Sequence, residues 1–267
     1  MKKTFARLFA VMMVLSLTAC SSTSGNLSDQ ADQTKNTVYA VEAGSAGEAA
    51  ALENGFTVNS VDTQAKALME VQAGTSDAAI IDSLMAGAMV GEGTSYPDLK
   101  CTDQKLTEEL YGVGCRKGSD LAEYINNVFA ETYADGTMLQ IAETYGVQEA
   151  LAEQSAPTSY SPAADGDVAA IQSKGTLIVG ITDFEPMDYK DANGEWIGFD
   201  ADMAKIVAEK LGVDIQFVEI DWESKIMELE SGNIDVVWNG MTLTDAVLEA
   251  MECTNAYCNN AQVVITK

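Results

Sequence analysis

Two stretches of the chain share one rhythm of short apolar runs and helical periodicity. In the second half, residues 176–181 (TLIVGI) read as a buried strand. Phe199, Met203, Ile206, Val207 and Leu211 then recur at i, i+4, i+7, i+8 and i+12. That spacing is one face of a helix, and Gly212 closes it. Residues 215–220 form a second strand. Trp222, Ile226 and Leu229 mark a short helix, and residues 234–238 a third strand. The first half repeats the order: strand 38–41, helix 45–52, strand 56–61, a helix carrying Ala65, Leu68, Met69 and Val71, and strand 78–81. The approaches to the two third strands are alike, QAGTSD at 72–77 and ESGNID at 230–235. Strands alternating with helices predict parallel α/β sheets in two similar lobes.

Between these halves the pattern turns helical. Leu121, Ile125, Val128 and Phe129 mark one helix, 134–136 (ADG) a turn, and 138–145 a second helix. Residues 155–167 are rich in Ser, Ala and Asp with two Pro, which reads as a linker.

The start of the chain differs from the rest. Lys2, Lys3 and Arg7 precede an apolar stretch at 8–17, about half of what a membrane span needs. Residues 17–20 (LTAC) resemble a bacterial lipobox, in which the cysteine, here Cys20, becomes the lipidated first residue. A cysteine closing an ordinary signal peptide is the other reading. Residues 21–36 lack apolar periodicity and read as a flexible tether.

Composition narrows the chemistry. The 267 residues carry a formal charge of −26. Without Lys2, Lys3 and Arg7 it is −29, from 12 basic and 41 acidic residues. Such a field disfavours nucleic acid and anionic headgroups, and it also keeps a surface soluble. The chain has no His, which excludes a His-based triad and a His metal site. Cys101, Cys115, Cys253 and Cys258 lack metal-site spacing and are expected to be structural, paired or free. No metal and no cofactor is expected. Residues 112–118 (GVGCRKG) lack P-loop spacing, and 191–194 (DANG) is a hairpin turn rather than a calcium loop.

Several motifs together resemble the polar-amino-acid-type solute-binding proteins of ABC importers, the bacterial extracellular solute-binding proteins of family 3. In the second half they are 175–180 (GTLIVG), 185–190 (EPMDYK), 193–200 (NGEWIGFD) and 232–244 (GNIDVVWNGMTLT), which look like the family's opening lobe. In the first half they are 41–45 (VEAGS), 76–82 (SDAAIID), 111–118 (YGVGCRKG) and 134–137 (ADGT), which look like its later segments. The order is the reverse of the family's, so the chain resembles a circular permutant. Chain ends of a domain often lie close together, which makes such a rearrangement tolerable.

The resemblance implies a two-lobed, type II periplasmic-binding-protein-like α/β fold, circularly permuted. Its parts are a signal at 1–20, a tether at 21–36, the family's later lobe at 37–112, and a hinge return with helices at 113–154. The linker at 155–167 and the family's opening lobe at 168–267 follow. The return to the opening lobe is expected at 111–117, with one covalent crossing between lobes. If the strands carrying Cys101 and Cys115 pair, a disulfide between them is geometrically possible.

Ligands of open α/β sheets bind beyond the carboxyl ends of the strands. By resemblance, Phe184 is an aromatic platform, and Trp238, Asn239, Gly240 and Thr242 follow the third strand. Phe184 and Trp238 are equally suited to core packing. From the other lobe, Gly44, Ser45 and Ala46 form a turn whose backbone N–H groups suit a carboxylate, although Ser45 is also a good helix cap. Asp82 corresponds to the carboxylate that holds a ligand ammonium, or it caps a helix. The family's carboxylate-clamping Arg falls at 247, where this chain has Val247. Beyond Arg7 the chain has one Arg, Arg116, so Lys225 or Arg116 is the remaining candidate anchor.

The implied function is capture of a small polar solute, an amino acid or related amine, by a monomer that performs no chemistry. The implied partners are ABC importer subunits and the membrane, reached through a lipid anchor at Cys20, with no nucleic acid. A ligand sensor, a degenerate binding protein and a dehydratase-like enzyme are the alternatives.

Overall fold

The computed structural model describes residues 37–156, 160 and 162–267. The expected signal and lipidation site at Cys20, the tether at 21–36 and four positions of the linker lie outside the described residues. No helix among those described is long and apolar enough to cross a membrane.

The chain opens with β1 (Val38–Glu42), α1 (Ala46–Glu53), β2 (Thr57–Val61), α2 (Gln64–Ala73), β3 (Ala78–Asp82) and α3 (Ser83–Met89). It continues through β4 (Lys100–Lys105), β5 (Glu109–Cys115), α4 (Leu121–Asp135) and α5 (Thr137–Tyr145). After the linker come α6 (Asp167–Lys174), β6 (Thr176–Ile181), β7 (Tyr189–Lys190), β8 (Trp196–Ile197), α7 (Phe199–Leu211) and β9 (Asp214–Glu219). The last elements are α8 (Lys225–Glu230), β10 (Val236–Thr242), α9 (Asp245–Ala250), β11 (Glu252–Cys253), β12 (Cys258–Asn260) and β13 (Gln262–Thr266).

Local chemistry sets the helix ends. The hydroxyls of Ser45, Thr63 and Thr244 accept from the backbone N–H of Glu48, Lys66 and Val247, capping α1, α2 and α9. Val168, Ile171, Leu177 and Val179 are buried together with Phe199, Met203 and Val207, the predicted face of α7. Fully burying one such side chain contributes about 1.5–3 kcal/mol. The linker is tied down by Asp120, which accepts from the Tyr160 hydroxyl (3.2 Å) and from the Ala163 and Val168 N–H groups (both 3.1 Å). The turn at 191–194 joins β7 to β8, as expected, with Asp191 accepting from the Asn193 and Glu195 N–H groups.

The strands form two main sheets, ordered β2-β1-β3-β13-β4 and β11-β5-β10-β6-β9, with β12 also paired to β5. The first sheet belongs to a small lobe and the second to a large lobe. β1, β2 and β3 run parallel, as do β6, β9 and β10. β3 is buried along its whole length, the pattern of a strand covered on both faces.

β13 departs from expectation. Residues 168–267 do not form one lobe, because β13 inserts between β3 and β4 of the small lobe. The apolar run QVVIT is buried there from Gln262 to Ile265, which satisfies its backbone and its side chains at once. The chain therefore crosses between lobes twice, at 106–108 and at Ala261, rather than once at 111–117. Tyr111–Cys115 lies wholly inside the large-lobe sheet. The two crossings run side by side: Leu106 N–H donates to the Gln262 carbonyl and Gln262 N–H to the Thr107 hydroxyl, each at 2.8 Å.

Cys101 lies in β4 and Cys115 in β5, so they sit in different sheets and form no disulfide; all four described cysteines are free. Thr266 is opposite Ala78, and Ala78 is opposite Tyr39. Residues 37 and 267 therefore lie at the same end of the small-lobe sheet, two strands apart.

Candidate ligand-binding cleft

The carboxyl ends of β1, β3 and β10 meet at a cleft between the lobes. Its volume is about 400 Å³. Glu42, Gly44, Ser45, Ala46, Gln64 and Asp82 line it from the small lobe, and Trp222, Lys225, Asn239, Gly240, Thr242 and Val247 from the large lobe. Gln262 of the second crossing closes its back. Gly44, at φ +70°, lies so near the large lobe that a Cβ there would meet the Glu223 Cα at 2.7 Å. The lobes are closed on one another at this point.

Seven of the sequence-predicted residues, Gly44, Ser45, Ala46, Asp82, Asn239, Gly240 and Thr242, come together here. Phe184 and Trp238 do not line the cleft. Trp238 is fully buried and packs edge-on against Phe129, with ring centroids 5.6 Å apart. Phe184 lies beneath the chain, where a Cβ on Gly240 would meet its ring at 2.4 Å. Gly240, at φ +56°, lets the backbone pass over that ring. Both aromatics took the packing role that the sequence left open.

The polar groups behind the cleft are already engaged. The Asn239 amide spans to the Thr182 backbone N–H (2.9 Å) and hydroxyl (2.7 Å). Gly240 N–H donates to Asp200 at 2.6 Å, and Tyr257 donates to the same oxygen at 2.7 Å. Burial pushes the Asp200 carboxyl up to about 7. Asp82 does not cap α3. It accepts instead from the Tyr111 hydroxyl (2.7 Å), the Gln262 amide (2.9 Å), and the Gln64 and Asn260 amides. Burial, then repulsion from Glu109, raises its carboxyl to about 7, while those donors pull the other way. Thr242 donates to Glu109 at 3.0 Å.

Two further ionisable residues line it, Glu42, which sequence reasoning missed, and Lys225, which it offered as an anchor. Glu42 ends β1 and is 2% exposed, and its Oε1 has no hydrogen-bond partner. Burial, then repulsion from Asp82, lifts its carboxyl to about 8. Lys225, considered in the sequence only as a fallback anchor, reaches across to donate to the Gly44 carbonyl at 2.9 Å. Arg116 is elsewhere, paired with Asp167 at 3.1 Å and bonded to the Ile234 carbonyl at 3.2 Å. Among the described residues, no cluster of acids and cysteines could hold a metal ion.

Two lobes closed around a cleft at strand ends leave a space that could enclose a small molecule. Residues 177–267 match the family model of bacterial extracellular solute-binding proteins, family 3. It is similar to the arginine-binding extracellular protein ArtP of Bacillus subtilis, at 32% identity over 95 residues, covering 35% of this chain and 37% of that protein. It is also similar to the L-cystine-binding protein TcyA of Bacillus subtilis, at 35% identity over 108 residues, covering 39% and 40%. An arginine-bound domain 1 of TmArgBP is 31% identical, covering 38% of this chain and 84% of that one, with a TM-score of 0.34. The chain thus spans about 40% of the length of the curated relatives it matches.

Proposed function

We propose that the protein captures a small amine-bearing solute, an amino acid or a close relative, between its lobes and presents it to an ABC importer. The observation that carries this reading is the cleft itself. Its walls come from both lobes, at the carboxyl ends of β1, β3 and β10, and two adjacent crossing segments form a hinge behind it. Ligand capture by hinge closure follows from that arrangement. In this reading Asp82 and Glu109, the acids at its back, serve the hinge, their oxygens being held by amides and hydroxyls. Thermal-shift screening against amino acids, polyamines and small anions tests it. Stabilisation by an amino acid or amine is expected; no shift with any of them would remove the reading.

The same proposal extends to location and chain order. Lipidation of Cys20 would hold the protein at the outer face of the cytoplasmic membrane, and Cys20→Ser should release it to the medium or leave it unprocessed. A circular permutation accounts for the family's opening lobe coming second. The nearness of residues 37 and 267 supports it.

A further inference from the structure

We propose that Glu42 and Lys225 form the two poles of the site, Glu42 receiving the ammonium and Lys225 the carboxylate of a zwitterionic amino acid with an uncharged side chain. The inference rests on the reading of the cleft as an amino-acid site.

Glu42 is the first observation. The residue lines the cleft, and its Oε1 is buried with no donor in hydrogen-bonding geometry, the Gln64 amide being the neighbour that favours its charged form. A buried acceptor without a donor is costly, and a carboxylate more so than a neutral group. Asp82, the acid that the resemblance assigns to a ligand ammonium, is in a different position, since both its oxygens already accept from the protein. Glu42 is the acid with an acceptor to spare.

Lys225 is the second observation. It is 8% exposed and is the one basic residue among the described residues lining the cleft. Its ammonium donates to the carbonyls of Gly44 (2.9 Å) and Trp222 (3.2 Å), and lies 4.7 Å from the centre of the Trp222 ring. An ammonium has three N–H donors, so one remains. The alternative carboxylate site, the first turn of α1, is already served by an anion: Glu48 accepts from Gly44 N–H at 2.8 Å. A second anion there would meet repulsion that Lys225 does not impose.

A zwitterion brought between the poles supplies a donor to Glu42 and an acceptor to Lys225. Its side chain would meet apolar walls, from Leu52, Trp222, Ile226, Met241 and Val247. Because Lys225 also holds Gly44, a ligand carboxylate on Lys225 links binding to closure of the lobes.

The test is calorimetry on the full chain with the twenty amino acids. The tightest is then compared with its decarboxylated amine and its des-amino acid; for L-methionine these are 3-(methylthio)propylamine and 4-(methylthio)butanoate. A neutral amino acid should bind best, and each truncated analogue should lose roughly ten- to a hundredfold. Lys225→Met should weaken the amino acid by that factor more than it weakens the amine, Lys225→Arg should restore binding, and Glu42→Gln should spare only the des-amino acid. Equal weakening of amino acid and amine by Lys225→Met would show that Lys225 only latches the lobes, and would overturn the assignment. Tightest binding of arginine, lysine or glutamate would overturn the ligand class while leaving the capture reading standing. Binding of no amino acid would remove both.

Discussion

Asp82 of the small lobe and Glu109 of the large lobe share two donors: the side-chain amides of Asn260 and Gln262 each bond to both carboxylates. Asn260 and Gln262 flank Ala261, where the chain crosses between lobes. The hinge is therefore cross-linked through its side chains as well as its backbone, and the acid that the resemblance assigns to a ligand is also a hinge strut.

Removing Asp82 should consequently act on the whole molecule. Asp82→Ala leaves the Tyr111 hydroxyl and the Gln64, Asn260 and Gln262 amides short of an acceptor in a buried place. Each unsatisfied buried group costs about 1–3 kcal/mol. A stability loss of several kcal/mol is expected in urea denaturation, together with weaker binding of every ligand. Weaker binding at unchanged stability would instead mean that Asp82 acts on the ligand alone.

Stability should fall as pH rises from weakly acidic to weakly basic. The Glu42 carboxyl is raised to about 8 and that of Asp82 to about 7, whereas both titrate near 4 in an unfolded chain. Between those limits the folded protein keeps protons that the unfolded chain has lost. The contribution is complete below about pH 4 and is lost as pH passes each folded value, at roughly 1.4 kcal/mol per pH unit for each group. Glu42→Gln should flatten the decline between pH 5 and 8 and be more stable than wild type at pH 8. Denaturation curves across that range check it, and a wild type most stable at pH 8 would contradict it.

What the sequence made legible follows from what periodicity measures. Alternating strands and helices, and the residues at strand ends, were readable because each strand's carboxyl end points at the cleft: Ser45, Asp82 and Thr242 all arrive there. Periodicity does not say which sheet a strand joins. β13 looks like one more apolar strand of the segment before it, yet it pairs with β3. Nor does it say which way an aromatic at a strand end turns, so Phe184 and Trp238 kept two readings until the packing was known. Glu42 left only a faint signal, a lone acid closing the apolar run VYAV just before a glycine turn.

Val247 lines the cleft at the start of α9, where the resemblance expects a guanidinium. Val247→Arg would add a bidentate donor to a cleft wall that now has none. Binding of an amino acid should strengthen by about tenfold, equivalent to ~1.4 kcal/mol. The double variant Lys225→Met/Val247→Arg should recover much of the affinity that Lys225→Met loses, because either cation then serves the same carboxylate. Calorimetry with one amino acid across the four proteins completes the cycle, and full additivity of the two changes would separate their roles.

The order of the chain can be tested by undoing it. Thr266, Ala78 and Tyr39 lie abreast on β13, β3 and β1. Adjacent strands are about 4.8 Å apart, so the gap from residue 267 to residue 37 is on the order of 10 Å, which three or four residues span. A chain that begins at Tyr160, runs to Lys267, continues through a short Gly/Ser bridge into Thr37 and ends at Ala156 would have the family's order. Every described strand pairing would be kept, including both crossings at 106–108 and Ala261. Since only the loop connection changes, and loop closure of this length costs little, its stability should lie within ~1–2 kcal/mol of the parent. It should also bind the same amino acid with the same selectivity against its truncated analogues. A reordered chain that is soluble and folded but has lost binding would mean that the present order matters to the cleft itself, and would count against the proposed permutation.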